Sequence, residues 1–511
     1  MLVSVYGSSV FGVEANLITI EVNIGKGIGY HLVGLPDNAI KESNYRIAAA
    51  LNNIGYKLPG KKITINMAPA DERKEGSAYD LPLAVGILAA SSQIQAPQIE
   101  RYIIMGELAL DGGIRPIKGA LPIAIQALKD GFKGFILPLE NAMEAATVKD
   151  LIVYGVTNLK EVISFFEGKT NLTPTEVDTR AEFQKQLKTN EFDFSDVKGQ
   201  ETIKRCMEIA AAGGHNIILI GPPGAGKTML AKRLPSILPP MSLEEALENT
   251  KIHSVVGKVK NQGLISVRPF RSPHHTISDV ALVGGGTYPQ PGEISLAHNG
   301  VLFLDELPEF KRGALEVMRQ PLEDREVTIA RAKFTVTYPA SFMLVASMNP
   351  SPSGYFNDPH STIGPSALEM QRYMGKISGP LLDRIDLHIE VEPVPFEQLA
   401  DRKPAESSGA IRERVTAARA RQAERFKNTP KTHYNAQMTT RQIRTYCQLE
   451  SDSSNLLKQA MERLSLSARA YDRILKVART IADLEGESQI GTTQIAEAIQ
   501  YRSLDREGWM G

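Results

Sequence analysis

The sequence is poor in features that would assign it to several classes of protein. Its only cysteines, Cys206 and Cys447, are too few for a disulfide framework and cannot by themselves form a four-ligand zinc site. No apolar run approaches the length needed to cross a bilayer, and the N-terminal stretch MLVSVYGSSVFGVEANL lacks the basic start and continuous apolar run of a signal peptide. We therefore expect a cytoplasmic protein without a membrane partner.

A net charge is also absent, because 58 lysines and arginines balance 58 aspartates and glutamates. No overall basicity indicates binding to nucleic acid, so a local patch would have to carry such a site. The chain has 42% hydrophobic and 23% charged residues, which is the balance of a globular protein. Its 511 residues predict two to four domains.

The order of apolar and polar segments predicts a multidomain α/β protein. Residues 1–166 alternate β-rich runs with helical stretches, and the polar segment 167–192 is typical of a linker or a solvated helix. Residues 193–395 contain three apolar runs that each end in polar groups, as buried parallel strands do. Residues 396–511 are predicted to be all-helical, with apolar residues at helical spacing.

A phosphate-binding loop follows the apolar run Ile217–Ile220 and precedes a helix-compatible run. The loop consists of Gly221, Pro222, Pro223, Gly224, Ala225, Gly226, Lys227 and Thr228. Glycines allow backbone amides to curl around phosphate oxygens at the positive end of a helix dipole. We expect Lys227 to reach the β- and γ-phosphates of ATP and Thr228 to bind Mg²⁺. A glycine-rich turn before a helix is the structural alternative.

A second motif, VLFLDE, supports the nucleotide site. It is an apolar run that ends in Asp305 and Glu306, some seventy to eighty residues after the phosphate loop. Paired acids at a strand end are common by themselves, and it is the spacing from the loop that makes this pair informative. Asp305 is expected beside Mg²⁺, and Glu306 is expected to polarise the attacking water. ATP and Mg²⁺ are the predicted cofactors.

Together with the segment SVRPFRSPHHTISDVALVGGGTYPQPGEISLAHNG, these motifs resemble the YifB/ComM family of magnesium chelatase-like AAA+ ATPases over nearly the whole chain. The resemblance implies that Asn349 is the sensor-1 residue and that Arg384 is an arginine finger supplied to a neighbouring subunit. It also implies that Arg469 is the sensor-2 arginine of a helical lid, with Arg473 as the alternative. A shared ATP site requires a ring, and the family implies a homo-hexamer.

The segments EGSAYDLPLAVGILAASSQI and IMGELALDGGIRPIKGALPIAIQALKDGFKGFILP resemble the protease domain of Lon and the Lon-like domain of RadA. Lon-type hydrolysis needs a serine activated by a lysine. This chain has Ser77 or Ala78 at the position of the serine and Leu121 at that of the lysine, with Lys118 three residues early. We therefore expect a noncatalytic scaffold here and not an active protease.

Two sets of residues are candidate metal ligands, and we expect zinc at neither. Many family members carry cysteines around the NP motif, whereas this chain has Ser351 and Ser353 there, and His360 is interpreted as a surface loop residue. Serine hydroxyls are poor zinc ligands beside thiolates. The adjacent His274 and His275 have no acidic or cysteine partner at recognisable spacing, which favours a positioning role near the nucleotide or a subunit interface.

The substrate on which this predicted ATPase would act is inferred from a predicted β-hairpin in REVTIARAKFTVTYPAS. It resembles the presensor-1 hairpin of minichromosome maintenance helicases, with Arg331 and Lys333 as candidates for DNA contact. The segment Leu282–Glu293 is a candidate pore-facing loop. Because ComM-type proteins are associated with branch migration in natural transformation, the resemblance favours DNA as a partner, with recombination proteins as further partners. The alternatives are a solvated hairpin and a chelatase-like ATPase that remodels a protein.

Overall fold

The computed structural model describes residues 1–179, 192–259, 262–286, 288–331, 334–352, 354, 366–400, 405–429, 432–502 and 504. The chain divides into two compact units. The first comprises Met1–Lys188 and Ser242–Ser266, and the second comprises Thr189–Met241 and Val267–Gly511. The chain thus leaves the second unit after Met241, contributes a segment to the first unit and returns at Val267.

A mixed seven-stranded sheet forms the centre of the first unit. Its strands lie in the order Gly29–Val33, Lys62–Ala68, Glu14–Gly25, Leu2–Phe11, Tyr102–Ile104, Gly134–Pro138 and Ile152–Val156. The long pair Leu2–Phe11 and Glu14–Gly25 is antiparallel, and the last three strands follow in parallel. A small hairpin pairs Glu107–Leu108 with Ile114–Arg115.

Over its described residues, the first unit has seven α-helices, one of which comes from the returning segment. They are Asn38–Lys41, Ser43–Asn53, Asp80–Ala90, Ala120–Lys129, Leu139–Ala145, Leu159–Phe166 and Leu243–Val255. Every residue of Asp80–Ala90 is buried, because the helix packs on the two long strands and is hydrophobic all round. Leu243–Val255 packs on Ala120–Lys129, and the Ser254 carbonyl accepts a bond from Gly119 N at 3.1 Å.

A buried ion pair anchors the start of the central helix. Nε and Nη2 of Arg46 donate to the Asp80 carboxylate at 2.6 and 2.9 Å, and the Asp80 side chain is only 1% exposed. Removal of one partner leaves a buried charge without compensation. We expect Arg46→Met to lower the free energy of unfolding by about 3–5 kcal/mol, measured by chemical denaturation. Arg73→Met is the control, because its half-exposed pair with Glu75 predicts a loss below about 1 kcal/mol; equal losses would contradict the prediction.

The second unit is built on a parallel five-stranded sheet. Its strands lie in the order Phe270–Arg271, Val301–Leu304, Met343–Met348, Ile217–Ile220 and Leu387–Glu390. The three central strands are entirely buried, which explains their continuous apolar sequences. Because all the strands run the same way, their carboxyl ends meet at one edge of the sheet and their amino ends at the opposite edge.

Helices and two small hairpins complete the second unit. The helices are Glu201–Gly213, Lys227–Ile237, Asp279–Val283, Glu293–Leu296, Arg312–Glu316, Arg319–Asp324, Ala367–Met374, Gly379–Leu382, Phe396–Ala400, Ser408–Phe426, Thr440–Tyr446, Ser451–Arg463, Ala468–Glu485 and Thr492–Gln500. The hairpins pair Gly284–Gly285 with Gln290–Pro291 and Glu326–Arg331 with Phe334–Pro339. The C-terminal helices share one hydrophobic core with the sheet, and both cysteines are buried in it.

The predicted α/β fold class with a helical C-terminal region is confirmed. The run YIIMGELAL forms two short strands, Tyr102–Ile104 and Glu107–Leu108, that belong to different sheets. Part of the predicted linker joins the first unit, since Thr175 N donates to Val153 O at 2.8 Å and Thr179 is buried. Across the described ranges, no helix combines the length and the apolar character needed to span a membrane.

Candidate nucleotide-binding site

The phosphate loop joins the buried strand Ile217–Ile220 to the helix Lys227–Ile237. Gly221 starts the loop in close contact with a neighbouring strand end, because a Cβ added there would lie 2.2 Å from the Val391 carbonyl oxygen. Gly224 and Gly226 have φ angles of +79° and +88°, in the left-handed region that favours glycine. The loop therefore turns its backbone towards the first turn of the helix, where the amides have no intrahelical acceptor.

The Lys227 ammonium lies within this loop. It donates to the carbonyl oxygens of Gly221 and Pro222, the latter at 2.9 Å, and to Asn349 Oδ1 at 3.2 Å. Burial lowers the pKa of Lys227, and the nearby carboxylates of Asp305 and Glu306 partly oppose that shift. The ammonium is thus held within the loop by three oxygen acceptors, and a bound phosphate could take their place as its hydrogen-bond partner.

Asp305 follows the strand Val301–Leu304 and lies beside the phosphate loop. Thr228 Oγ1 donates to Asp305 Oδ2 at 2.8 Å. The other carboxylate oxygen accepts from Ser347 Oγ, which is fully buried on the adjacent strand. Ser347 was not among the predicted residues, although a hydroxyl inside the apolar run MLVASM is the signal that could have identified it.

Glu306 adopts a left-handed conformation with φ of +55°, which is uncommon for a residue with a side chain. Its amide donates to Ser347 Oγ at 3.1 Å, so the same serine positions both acids. The Glu306 side chain is half exposed, and one of its oxygens lies 3.8 Å from His275 Nδ1. The His275 ring packs on that of His274, with centroids 4.1 Å apart. The histidine pair thus lies beside Glu306, and its positioning role stays a prediction.

Asn349 comes directly after the strand Met343–Met348, at the same edge of the sheet. Its side chain oxygen accepts from Lys227, and its backbone oxygen accepts from Tyr373 Oη at 3.1 Å. Five predicted residues therefore meet at the carboxyl ends of three neighbouring strands. They are Lys227, Thr228, Asp305, Glu306 and Asn349.

Gln200 borders the phosphate loop on another side and was missed by the sequence analysis. Its amide nitrogen donates to the carbonyl oxygens of Ala225 at 3.1 Å and Glu392 at 3.2 Å. Within the part of the chain that the structure describes, its buried Oε1 has no hydrogen-bond partner. Gln200 lines a cavity of about 810 Å³ together with Gly199 and Val394.

Arg384 lies at the opposite edge of the sheet. It follows the helix Gly379–Leu382 and precedes the strand Leu387–Glu390, and its backbone oxygen accepts from Asn216, the residue before the strand of the phosphate loop. Nη1 donates to Pro380 O and Nη2 pairs with Glu323 at 2.6 Å. A strand of four residues spans about 13 Å, so Arg384 and the phosphate loop are at different ends of the sheet.

Of the two candidate sensor-2 residues, Arg473 lines a cavity that also contains Arg384. Arg473 pairs with the buried Asp386. Arg469, one turn earlier on the same helix, is 73% exposed and pairs with Asp383. Arg473, and not Arg469, therefore lies in the cavity that contains Arg384.

Arg331 is exposed at the end of the strand Glu326–Arg331. A Cβ added at Gly285 would lie 3.1 Å from its Nη2. The guanidinium thus lies against the hairpin of Gly284–Gly285 and Gln290–Pro291, which we call the glycine hairpin. The two hairpins also meet where Tyr338 Oη donates to Pro289 O at 2.7 Å. Lys333, the other candidate for DNA contact, lies outside the described residues.

In the first unit, the residues compared with a Ser–Lys dyad have other contacts. Ser77 Oγ donates to the Glu107 carboxylate, and Leu121 is buried in the interior. Lys118 lies near Gly257, whose added Cβ would be 3.3 Å from the lysine Cγ. Leu121 has no group that could accept the serine proton.

The candidate metal residues of the NP segment are only partly described. Ser351 is buried, while Ser353 and His360 lie outside the described residues. Among residues the structure describes, no group of three or more His, Cys, Asp and Glu side chains is arranged to hold a metal ion.

The geometry of the loop fits a magnesium nucleotide. The loop leads into the N-terminus of a helix, where backbone amides favour an anion, and the Lys227 ammonium is already held by the loop's own carbonyl oxygens. Thr228 Oγ1 and Asp305 Oδ2, 2.8 Å apart, are the hard oxygen ligands that Mg²⁺ prefers. These residues could bind phosphates and position a divalent cation.

Comparisons with known proteins identify the family. The model described as magnesium chelatase, subunit ChlI, matches residues 193–399, that of subunit ChlI of Mg-chelatase matches 20–141, and that of the ChlI C-terminal region matches 405–502. The YifB protein of Salmonella typhimurium is 46% identical over 99% of this chain and 98% of its own length. Competence protein ComM of Haemophilus influenzae is 45% identical over 99% and 98%. Lon protease 2 of Bacillus subtilis is 29% identical over 28% of this chain and 27% of its own length.

Three family models thus match along the chain, and relatives of nearly full length are well above 30% identical to it. The phosphate loop, the paired acids and the parallel sheet described above agree with that assignment. The chain belongs to the YifB/ComM family of magnesium chelatase-like AAA+ proteins.

Proposed function

We propose that the chain is the subunit of an ATP-driven ring motor that acts on DNA, moving or unwinding branched intermediates of recombination or DNA uptake. One observation carries the motor part of this proposal. The residues to which we assign binding and hydrolysis of ATP lie at the carboxyl edge of the parallel sheet, whereas Arg384 and Arg473 lie at the amino edge. A second subunit is needed to bring both sets of residues to one nucleotide.

In this proposal, each residue at the carboxyl edge has one task. The loop amides and Lys227 bind the phosphates of ATP, and Thr228 and Asp305 hold Mg²⁺. When bound, Mg²⁺ neutralises charge on the β- and γ-phosphates. Ser347 keeps Asp305 in place through its hydroxyl.

Hydrolysis then follows from the position of Glu306. Its carboxylate accepts a proton from water as the water oxygen bonds to the γ-phosphorus and the bond to the bridging β,γ oxygen breaks. ADP leaves with the bridging oxygen, and the proton passes to the released phosphate. Asn349, hydrogen-bonded to Lys227, is suited to orient the water.

A closed ring follows from head-to-tail contact between identical subunits. In such a ring, the arginine edge of one subunit faces the phosphate loop of the next, and Arg384 stabilises the charge that develops on the γ-phosphate. A homo-hexamer is the assembly that we propose, by analogy with the AAA+ family to which the chain belongs.

The DNA part of the proposal rests on Arg331 and on the name of one relative. An exposed guanidinium at a hairpin end, repeated around a ring, would create a positive channel from a neutral chain. The glycine hairpin that packs against Arg331 would form part of the same surface. The relative named competence protein ComM supports a role in DNA uptake.

We expect branched DNA to stimulate ATP turnover and to be separated into strands by the wild-type protein. Arg331→Ala should keep the basal turnover and weaken DNA binding. It should also lower the slope of log affinity against log salt by about one for each phosphate that the variant no longer neutralises. Arg463→Ala, which removes an exposed arginine at the end of the helix Ser451–Arg463, is the matched control. Equal DNA responses in all three proteins would argue against the hairpin.

A chelatase-like ATPase that remodels a protein partner is the second candidate. It is favoured by the matches to magnesium chelatase models in three parts of the chain. Strong ATP turnover without any response to DNA would support this candidate over the first. We propose no protease activity for the first unit, because its Ser77 donates to a carboxylate and the position compared with Lon's lysine is Leu121.

A further inference from the structure

A strongly basic cavity of about 280 Å³ lies at the amino edge of the parallel sheet. It is enclosed by side chains from the sheet edge and from the C-terminal helices. Its basic residues are Arg268, Arg325, Arg384, Arg419, Arg473 and Lys476, and its acidic residues are Glu323 and Asp386. Six cations against two carboxylates leave a surplus of positive charge in a confined space.

Both carboxylates already have cationic or hydrogen-bonded partners. Asp386 is 1% exposed, accepts from His215 Nδ1 at 2.9 Å and pairs with Arg473. Glu323 pairs with Arg384 at 2.6 Å and is 65% exposed. The surplus charge of the cavity is therefore not neutralised by these two acids.

Lys476 contributes to this surplus. It is on the helix Ala468–Glu485, and its ammonium donates to the backbone oxygen of Ala436 at 2.9 Å. Burial lowers the pKa of Lys476 to about 8, Asp386 opposes this shift, and Arg473 adds to it. An ammonium whose proton is disfavoured by its surroundings would be stabilised by an anion in the same cavity.

Polar groups around the cations suit a small oxyanion. The cavity is also lined by Ser341 and Gln437, whose hydroxyl and side-chain amide are neutral hydrogen-bonding groups. Nε of Arg384 is buried and has no hydrogen-bond partner among the residues that the structure covers. A tetrahedral anion with several acceptor oxygens would satisfy donors that converge from different sides.

We propose that this cavity binds a phosphate-class oxyanion and that Lys476, with Arg384 and Arg473, holds it. The anion has two possible sources, which are free phosphate or pyrophosphate and the terminal phosphate of a nucleotide on a neighbouring subunit. Binding of the free anion does not depend on the proposed function, whereas binding of a neighbour's phosphate does. Lys476 and the converging polar groups extend the site beyond the two arginines expected from the sequence.

The first experiment measures thermal unfolding of the full chain in orthophosphate or pyrophosphate against chloride at matched ionic strength. All proteins carry Lys227→Ala, which removes the lysine of the phosphate loop as a competing anion site. We expect pyrophosphate to raise Tm by several degrees, and Lys476→Met to raise the apparent Kd at least tenfold. Lys458→Met is the control, because this lysine is 74% exposed and pairs with Glu462 at the surface.

Two outcomes would overturn the proposal. One is a pyrophosphate-dependent Tm increase that Lys476→Met leaves unchanged, and the other is no increase in any protein. Thermal unfolding without added anion separates this role from a purely structural one. If Lys476 only stabilised the fold, Lys476→Met would lower Tm in the absence of anion. A lysine positioned for an anion predicts an unchanged or higher Tm for this variant, because a buried charge is removed.

The second experiment distinguishes the sources and uses proteins with an intact phosphate loop. If the anion is a neighbour's phosphate, Lys476→Met lowers kcat for ATP hydrolysis at least tenfold with little change in KM. If the cavity binds free phosphate only, kcat equals that of wild type while the first experiment is still positive. Failure of the proposed function appears separately, as a wild-type protein without ATP turnover.

Discussion

Arg384→Ala is expected to lower kcat for ATP hydrolysis by about 10³-fold or more, the range found for arginine fingers. The physical reason is the position of Arg384 at the amino edge of the sheet, from which it would reach a neighbour's nucleotide in the proposed ring and not its own. Nucleotide affinity should change little, because the phosphate loop of the same chain is intact. Steady-state turnover and binding of a fluorescent ATP analogue measure the two effects.

Mixing variants tests whether two subunits share the site. Arg384→Ala protein has a complete phosphate loop, and Lys227→Ala protein has a complete arginine edge. In mixed rings, some interfaces pair the phosphate loop of an Arg384→Ala subunit with the Arg384 of a Lys227→Ala subunit. Such interfaces contain both residues, so ATP hydrolysis should partly recover. An absence of recovery, with mixed rings confirmed, would contradict the shared site.

Loss of the Arg384–Glu323 pair is a structural effect that must be separated from catalysis. Arg384→Lys retains the charge but not the planar two-pronged geometry, so it should restore stability more fully than turnover. Arg469→Ala is the matched control, since Arg469 pairs with the nearby Asp383 but lies outside the cavity. A similar loss of kcat in Arg469→Ala would assign the effect to that surface and not to Arg384.

Glu306→Gln is expected to bind ATP but to hydrolyse it about 10²–10⁴-fold more slowly, the usual contribution of a general base. The amide keeps the size of the side chain and cannot accept the proton of water. Because the left-handed backbone and the hydrogen bond from the Glu306 amide to Ser347 Oγ remain, the loop should keep its shape. Nucleotide binding and single-turnover hydrolysis are the measurements.

The control for this variant is Glu309→Gln in the same loop. Glu309 is half exposed and pairs with Lys376 at 3.0 Å, so its loss should leave turnover within about twofold. If Glu306→Gln hydrolysed ATP at the wild-type rate, Glu306 would not be the base. Reduced ATP affinity in Glu306→Gln would instead indicate a disturbed loop.

Much of the site could be predicted because its residues are adjacent in sequence to buried strands. The run Ile217–Ile220 is the strand that the apolar pattern predicted, and Asp305 and Asn349 directly follow two others. Parallel strands bring such residues to one edge. The phosphate loop, the paired acids and the position of Asn349 could therefore be predicted without the structure.

Other residues reach the site through contacts that no local pattern specifies. His275 and Gln200 come from segments far apart in the chain and meet the acids or the loop only after folding. The choice between Arg469 and Arg473 had the same limit. The two are four residues apart on one helix, and only packing decides that Arg473 lines the cavity.

The division into units was also beyond the sequence pattern. Leu243–Val255 is a helix with many small and polar buried residues, such as Asn249, Thr250 and Ser254. Nothing in its composition distinguishes a helix that covers the second unit's sheet from one that packs on Ala120–Lys129. The predicted boundaries between the N-terminal domain, the linker and the ATPase core remain predictions.

The returning segment has a consequence for synthesis of the chain on the ribosome. The first unit is incomplete when residue 188 is made, because Leu243–Val255 is still missing. Ser266 follows about 80 residues later, a delay of roughly 4–16 s at about 5–20 residues per second. During that interval, the surface of Ala120–Lys129 on which Leu243–Val255 will pack stays open to chaperones or to other nascent chains. The phosphate loop has already been synthesised by then, so completion of the first unit and folding around the loop overlap in time.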